Sequence, residues 1–229
     1  MGKLSLYNIL KESERDMFEG FNETELTEDY PENFNFNELK KIKSYSGKRK
    51  YIQTHLGKPL GTGSARSVYR VDETKVLKLA KNSKGLAQNE VEIDWGREKY
   101  FKDILANVLD FDNDEHHWVE MELALKVSYN DFKRLWGINF KDLWIYLENV
   151  YMSNRGKGRY KYSQDEKIKE QFDENENVQN LITYMIEVEA LPGDLAKINS
   201  WGRVFREDGE NLVLIDFGFT NEVYQSYYT

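Results

Sequence analysis

Two aspartates and one asparagine near the C-terminal end of the sequence could form one polar pocket. Asp194 and Asn199 are five positions apart after an apolar helical segment, a spacing that lets a loop direct both side chains towards the same space. Asp216 ends an apolar strand segment and precedes Phe217 and Gly218. A carboxylate in that position could bind a divalent cation, since Mg²⁺ prefers oxygen ligands. Each aspartate taken alone fits a helix cap or a turn equally well.

Two glycines and one lysine in the first half of the sequence are candidates for contact with phosphate groups. Gly61 and Gly63 lie between two predicted strands, which excludes a dinucleotide-binding fingerprint because that motif opens a helix. A hairpin here fits a flap whose backbone N–H groups cover phosphates, although a plain turn also explains the two glycines. Lys78 is the one charge in the apolar run 76–80, and strand alternation alone makes it an outward-facing residue.

The composition excludes several classes of site and partner. The 229 residues include no Cys and three His, so disulfides, thiolate zinc sites and a histidine-rich metal site are not expected. The net charge of −8 has the wrong sign for a general nucleic-acid binder, and we expect no nucleic-acid partner. No apolar run approaches the ~20 residues that span a bilayer, and the first residues lack a signal-peptide cleavage site. We therefore expect a cytoplasmic protein without a membrane partner.

The elements before residue 125 are predicted to be mostly strands. β-branched and aromatic residues between turn-forming residues predict five strands, over 51–60, 67–71, 76–80, 108–111 and 118–123. One long helix is predicted over 86–105, a stretch rich in helix formers and free of Pro. The preceding residues 13–50 are acidic and then Lys-rich, a pattern typical of an extension with marginal structure.

The elements after residue 124 are predicted to be mostly helices. Capping boxes at Ser128 and Ser163 begin two of them, and apolar segments at 139–152 and 178–188 form two more. A hairpin follows around an Asp-Gly turn within 203–215. A strand-rich part followed by a helical part predicts an α+β fold. We expect an extension over 1–50, an N-terminal lobe over 51–124 and a C-terminal lobe over 125–229.

In their order and separations, these features resemble the protein kinase superfamily over about residues 51–220. The resemblance implies a bilobal fold with a five-stranded N-terminal lobe and a minimal, truncated helical C-terminal lobe. It implies that Gly61, Gly63 and Val68 form the flap over ATP. It also implies that Lys78 pairs with the α- and β-phosphates.

The resemblance assigns further residues to nucleotide binding and catalysis. Glu92 best matches the helix glutamate that orients the lysine, and Glu90 is the alternative. Asp194 matches the catalytic base, and Asn199 and Asp216 match the ligands of Mg²⁺. Residues 118–123 match the hinge between the kinase lobes. In this match Met121 is the gatekeeper, and the backbone of Glu122, Leu123 and Ala124 contacts adenine.

Three departures from the kinase pattern change what is expected. Arg66 replaces the third glycine of the loop, where it could contact phosphate or pair with an acid. Pro192 and Gly193 replace the His-Arg pair before the catalytic aspartate. Eleven residues follow Gly218, so we expect no activation segment and no activation by phosphorylation there.

The resemblance implies an enzyme that binds ATP and Mg²⁺ and phosphorylates protein Ser/Thr hydroxyls or itself. Two alternatives stay open: an ATP-binding pseudokinase that acts as an interaction module, and a kinase-fold enzyme that transfers AMP. The glycine loop and the segments around 85–89 and 199–202 are also similar to small kinase-like proteins of tailed bacteriophages, which would place the protein in the host cytoplasm.

Overall fold

An antiparallel sheet of five strands forms the first part of the molecule. The computed structural model describes residues 30–156, 165–207 and 209–228. Within them the strands are β1 (Gly61–Thr62), β2 (Arg66–Arg70), β3 (Lys75–Ala80), β4 (Val108–Phe111) and β5 (Trp118–Glu122). Their spatial order is β1-β2-β3-β5-β4, which places β3 at the centre.

Both faces of the central strand β3 are covered. Val76 packs in the main apolar core with Ile93, whereas Leu77 and Leu79 pack in a second core with Ile52. Successive side chains of a strand point to opposite faces, so Lys78 shares the face of Val76. The alternative that strand alternation turns Lys78 outward to solvent is therefore wrong, because a helix covers that face as well.

Three helices provide these covers. Helix α3 (Ser83–Gly96) follows β3 and supplies Ile93, and Asn82 caps its first turn by accepting a hydrogen bond from the Gly85 N–H. Helices α1 (Phe36–Lys41) and α2 (Tyr45–Leu56) cover the opposite face of the sheet.

The predicted strand over 51–60 is wrong, since most of that segment is helical. Ser44 caps α2 through its side chain, and the helix ends at Gly57, whose N–H donates to the Gln53 carbonyl. Ile52 is fully buried against the sheet. The aromatic and β-branched side chains of this segment therefore pack on the sheet from a helix. Helix α2 also crosses the boundary predicted between the extension (1–50) and the N-terminal lobe (51–124).

The expected marginal structure before residue 51 is also contradicted where the chain is described. An aromatic cluster joins Tyr30, Phe34 and Phe36 to Trp118 of β5, and the Phe36 and Trp118 rings stack with centroids 4.0 Å apart. Leu39 of α1 is 1% exposed in the same core. Residues 30–50 are therefore part of the packed fold.

A small sheet and a group of helices form the second part of the molecule. The sheet has the order β6-β7-β8, from β6 (Leu125–Lys126), β7 (Trp201–Arg206) and β8 (Gly209–Leu214). The helices are α4 (Tyr129–Leu135), α5 (Phe140–Asn154), α6 (Glu166–Asp173), α7 (Glu176–Glu187), α8 (Pro192–Leu195) and α9 (Asn221–Tyr227). Trp201 lies at the centre of this part, with its ring edge-on to those of Phe132 and Trp136.

Backbone hydrogen bonds join the two parts. The Ala106 N–H donates to the Leu214 carbonyl at 2.9 Å, and the Leu214 N–H donates to the Ile104 carbonyl at 2.8 Å. The end of β8 is therefore fixed to the segment that follows α3. Helix α3 itself ends at Gly96, earlier than predicted, and a single 3₁₀ turn at Lys99–Phe101 follows it.

Several local expectations are confirmed. Asp131 accepts a hydrogen bond from the Ser128 N–H at 2.8 Å, as a capping box requires. The hairpin β7–β8 is present, as are the α+β class and the five-stranded sheet. The capping box expected at Ser163 lies outside the described residues, and Asp165 caps α6. None of the described helices is both long enough and apolar enough to cross a membrane.

Truncation of Leu39 tests whether the N-terminal helices belong to the fold. Leu39→Ala should lower the free energy of unfolding by about 2–5 kcal/mol, as cavity-forming changes of buried leucine do. Leu109→Ala is the matched control, because Leu109 is 48% exposed and should cost much less. Urea denaturation measures both, and equal small losses would contradict the packing described for α1.

Candidate functional site

A buried ion pair links the central strand to helix α3. The Nζ atom of Lys78 lies 2.8 Å from Oε2 of Glu92, and the two residues are 5% and 0% exposed. Glu92 lies on the same buried side of α3 as Ile93, whereas Glu90 is exposed. The predicted pairing of Lys78 with Glu92, and not with Glu90, is confirmed.

Arg66 is a second buried cation at the same glutamate. It begins β2, and its Nη1 atom lies 2.7 Å from Oε2 of Glu92. Its Nη2 atom forms an ion pair with Oδ1 of Asp216, and Nη1 also approaches Oδ1 of Asn89 at 3.4 Å. The sequence left open whether Arg66 contacts phosphate or pairs with an acid. In the structure Arg66 pairs with two acids, Glu92 and Asp216.

The four charged groups balance one another in a largely buried space. Burial lowers the pKa of Lys78, Arg66 lowers it further, and Glu92 only partly opposes this. Burial also acts to lower the pKa of Arg66, but Glu92 and Asp216 outweigh it and raise that pKa. Two cations and two anions therefore stabilise charges that would be costly to bury singly.

Asp216 is the accessible member of this group. Its side chain is 59% exposed. Partial loss of hydration beside the protein raises the pKa of this carboxyl, but the positive charges of Arg66 and Lys78 outweigh that effect and lower the pKa below its usual value. Asp216 thus stabilises the fold above its unfolded pKa and loses that contribution as the pH falls through the folded pKa. The exposure keeps the contribution small.

The segment from Ile215 to Gly218 is held against α3. The Phe217 N–H donates to Oε1 of Glu92 at 3.2 Å, and the Ile215 carbonyl accepts from Lys78. A Cβ at Gly218 would lie 2.3 Å from the Gln88 carbonyl oxygen, so only glycine allows this approach. The position of Asp216 is therefore fixed through its neighbours.

Asp194 and Asn199 lie on the loop that leads into β7. Asp194 is in the short helix α8 and forms an ion pair with Lys197, three residues later. Asn199 is exposed within a 3₁₀ turn. The Ile215 N–H donates to the Ser200 carbonyl at 2.8 Å. Asn199 and Asp216 are the next residues outward from this pair, so both lie at the same end of the hairpin. The charge of Lys197 also helps to lower the pKa of Asp216, after the larger effects of Arg66 and Lys78.

The glycine loop lies beside this group of charges. The Gly63 N–H donates to the Arg66 carbonyl at 2.9 Å and closes a tight turn. Gly61 and Gly63 are exposed, whereas Val68 is partly buried against the main core. A Cβ at Gly85 would lie 2.3 Å from the Ala65 carbonyl oxygen, so the start of α3 touches the turn of the loop.

The segment between the two parts begins at Met121, which is buried. The Glu122 N–H donates to the Asn107 carbonyl, and the Leu123 N–H donates to the Thr74 carbonyl. Among the described residues, the Ala124 N–H has no hydrogen-bond acceptor. The side chain of Glu122 forms an ion pair with Arg206 of β7.

Sequence reasoning missed Asn89, which contacts Arg66, and it did not predict that Lys197 pairs with Asp194. The three-residue spacing between Asp194 and Lys197 was a usable signal, because such residues are neighbours on a helical turn. In the described parts of the chain, no cluster of three or more His, Asp or Glu residues could hold a metal by itself. A cation at Asp216 and Asn199 would take its other oxygen ligands from water or from a bound molecule.

Comparisons with known proteins give limited information. No family model and no curated protein matches the sequence. A solved ternary complex of APH(2″)-IIa with streptomycin and ATP is similar with a TM-score of 0.35 and 12% identity, covering 77% of this chain and 71% of that one. The gentamicin complex of APH(2″)-IIa has the same identity and coverage and a TM-score of 0.32. Likeness at this level carries no information about the reaction of this chain.

Removal of the charge at Glu92 tests the interactions at the centre of the site. Glu92→Gln should lower the free energy of unfolding by about 3–5 kcal/mol, because it leaves Lys78 and Arg66 buried beside a neutral group. Glu90→Gln, two positions away on the exposed side of α3, should change it by less than about 0.5 kcal/mol. Urea denaturation of both variants is the measurement. Similar values for the two would contradict the central role of Glu92.

Proposed function

We propose that this protein is an ATP-dependent phosphotransferase with a kinase-like bilobal architecture. The observation that carries the proposal is the buried contact of Lys78 with Glu92, beside the glycine loop and next to Asp216. A cation held in this way is oriented before any substrate arrives, as phosphoryl transfer requires. In this proposal, residues 51–124 form the N-terminal lobe and 125–229 the C-terminal lobe, with the described part of 1–50 packed on the former.

ATP would bind between the glycine loop and the start of the second lobe. The exposed backbone of Gly61 and Gly63 can approach phosphates, and Lys78 can donate to their oxygens. The adenine ring would contact the apolar side chains of Val68, Met121 and Leu123 and the backbone of Glu122 and Ala124. The Ala124 N–H, which lacks another acceptor in the described chain, supports this placement of the ring.

Asp216 and Asn199 fit a magnesium ion by the chemistry of their oxygen atoms. The exposed Asp216 carboxylate is accessible to a ligand, and the hairpin register brings Asn199 to the same end. Magnesium, when bound there, would neutralise negative charge on the phosphates. Arg66 now contacts Asp216, so cation binding requires Arg66 to share or release that carboxylate.

Asp194 would act as the general base. The Asp194 carboxylate would accept the proton of an acceptor hydroxyl while that oxygen bonds to the γ-phosphorus. The bond from the γ-phosphorus to its bridging oxygen breaks, and ADP leaves. Lys197, already paired with Asp194, would keep the carboxylate oriented. We propose protein Ser/Thr hydroxyls, or those of the chain itself, as acceptors.

A non-catalytic role is the second candidate. Arg66 occupies the carboxylate that a catalytic cation needs, which favours an ATP-binding pseudokinase that acts as an interaction module. The two candidates differ in whether Asp194 has a chemical role.

Nucleotide binding separates the roles of the two aspartates. Mg-ATP should raise the melting temperature of the wild-type protein, since a ligand that prefers the native state stabilises it. Asp194→Asn should keep this shift, because Asp194 would contact only the acceptor. Asp216→Asn should lose its magnesium-dependent part. Circular dichroism of both variants without ligand is the control for folding, and no shift in folded wild-type protein at millimolar Mg-ATP would refute both candidates.

Transfer is tested with ATP labelled separately on the α- and γ-phosphates, with the protein alone and with casein as acceptor. The proposal requires incorporation of the γ-label, a mass gain of one phosphoryl group and loss of both in Asp194→Asn. Incorporation of the α-label with an adenylyl mass gain would instead identify AMP transfer. Binding of Mg-ATP without either product would favour the pseudokinase.

A further inference from the structure

The guanidinium group of Arg66 contacts the carboxylate to which a divalent cation would bind. Its Nη2 atom forms an ion pair with Oδ1 of Asp216, and its Nη1 atom lies 2.7 Å from Oε2 of Glu92. Arg66 is buried, whereas the side chain of Asp216 is 59% exposed. Arg66 therefore reaches Asp216 from the buried side of a carboxylate that is otherwise open.

The charges at this place are balanced before any ligand binds. Ion pairs join two cations, Lys78 and Arg66, to two anions, Glu92 and Asp216. Both cations are buried, where interactions between charges are stronger than in water. A divalent cation at Asp216 would add positive charge beside these cations, and one carboxylate that is already paired does not offset it. A free divalent cation should therefore bind there weakly.

Arg66 can release Asp216 without losing its other contacts. Nη1 stays with Glu92 and approaches Oδ1 of Asn89 at 3.4 Å. The Arg66 carbonyl accepts the hydrogen bond from the Gly63 N–H, so the arginine is anchored in the turn of the glycine loop. A guanidinium group has several N–H donors in a fork, and Nη2 can take a phosphate oxygen while Nη1 keeps Glu92.

We propose that Arg66 controls cation binding at Asp216 in two steps. In the first step, without nucleotide, Arg66 pairs with Asp216 and keeps free divalent cations from that carboxylate. In the second step, phosphates bind beside the glycine loop and accept a hydrogen bond from Nη2, and Asp216 becomes free for the cation that arrives with the nucleotide. The second step rests on the proposed function, whereas the first concerns Arg66 and Asp216 alone.

Binding of Mn²⁺ without nucleotide tests the first step. Electron paramagnetic resonance measures free Mn²⁺ in solutions of full-length wild-type protein and of variants. Arg66→Gln should bind Mn²⁺ at least about tenfold more tightly than wild type, because a neighbouring like charge shifts such equilibria by an order of magnitude or more. The gain should be lost when Asp216→Asn is added to Arg66→Gln, which assigns it to Asp216.

Arg70→Gln is the matched control for the Mn²⁺ titration. It removes the same charge from the other end of β2, where the Arg70 side chain donates to the Asp72 carbonyl at 2.9 Å. Its affinity for Mn²⁺ should equal that of wild type. Thermal unfolding followed by circular dichroism checks that each variant is folded.

Calorimetric titration with ADP in the presence of EDTA tests the second step. Arg66→Gln should bind ADP about tenfold more weakly than wild type, because it loses a charge-assisted contact with a phosphate. The same variant should thus gain affinity for the cation and lose affinity for the nucleotide. A general loss of structure would lower both affinities.

Equal affinity of wild type and Arg66→Gln for Mn²⁺ overturns the first step, and equal affinity for ADP overturns the second. If Arg66→Gln does not fold, wild type still decides: Mn²⁺ binding without nucleotide that is as tight as with ADP, and that is lost in Asp216→Asn, overturns the first step. If wild type does not bind ADP while Arg66→Gln gains Mn²⁺ affinity, the second step fails with the proposed function and the first stands.

Discussion

The carboxylate of Glu92 is the interaction on which the rest of the site depends. It binds Lys78 from the central strand, Arg66 from the glycine loop and the backbone N–H of Phe217. Three segments that are distant in sequence therefore meet at one fully buried group. A charge in that position has to be satisfied from several sides, and this need fixes the strand, the loop and the segment after β8 relative to α3.

Close backbone contacts make that arrangement possible. The start of α3 touches the turn of the glycine loop at Gly85, and its middle touches the chain at Gly218. Any side chain at either position would push the helix away from its partner. Helix α3 is thus held between the two parts of the molecule, and a shift of the helix would change the surroundings of Lys78 and Asp216 together.

The sequence predicted those features that depend on local patterns. Strands β2 to β5 and the hairpin β7–β8 follow from alternation and turn residues, and the pairing of Lys78 with Glu92 follows from their order in the motif. Helix α2 was missed because its aromatic and β-branched residues, Ile52 among them, gave a strand-like pattern, and the sheet face on which they pack is distant in sequence. The partners of Arg66 could not be predicted either, since Asp216 lies 150 positions away and its approach depends on how the two parts pack.

The two buried lysines show how differently one fold can treat the same charge. Burial lowers the pKa of both Lys78 and Lys48. At Lys78 the cost is offset by Glu92 and by a carbonyl oxygen, so the ammonium is retained and held in one orientation. At Lys48 the opposing charges are those of Asp112 and Glu115, and neither carboxylate forms an ion pair with it among the described residues. The contact with Glu92, and not burial by itself, is therefore what distinguishes Lys78 from Lys48.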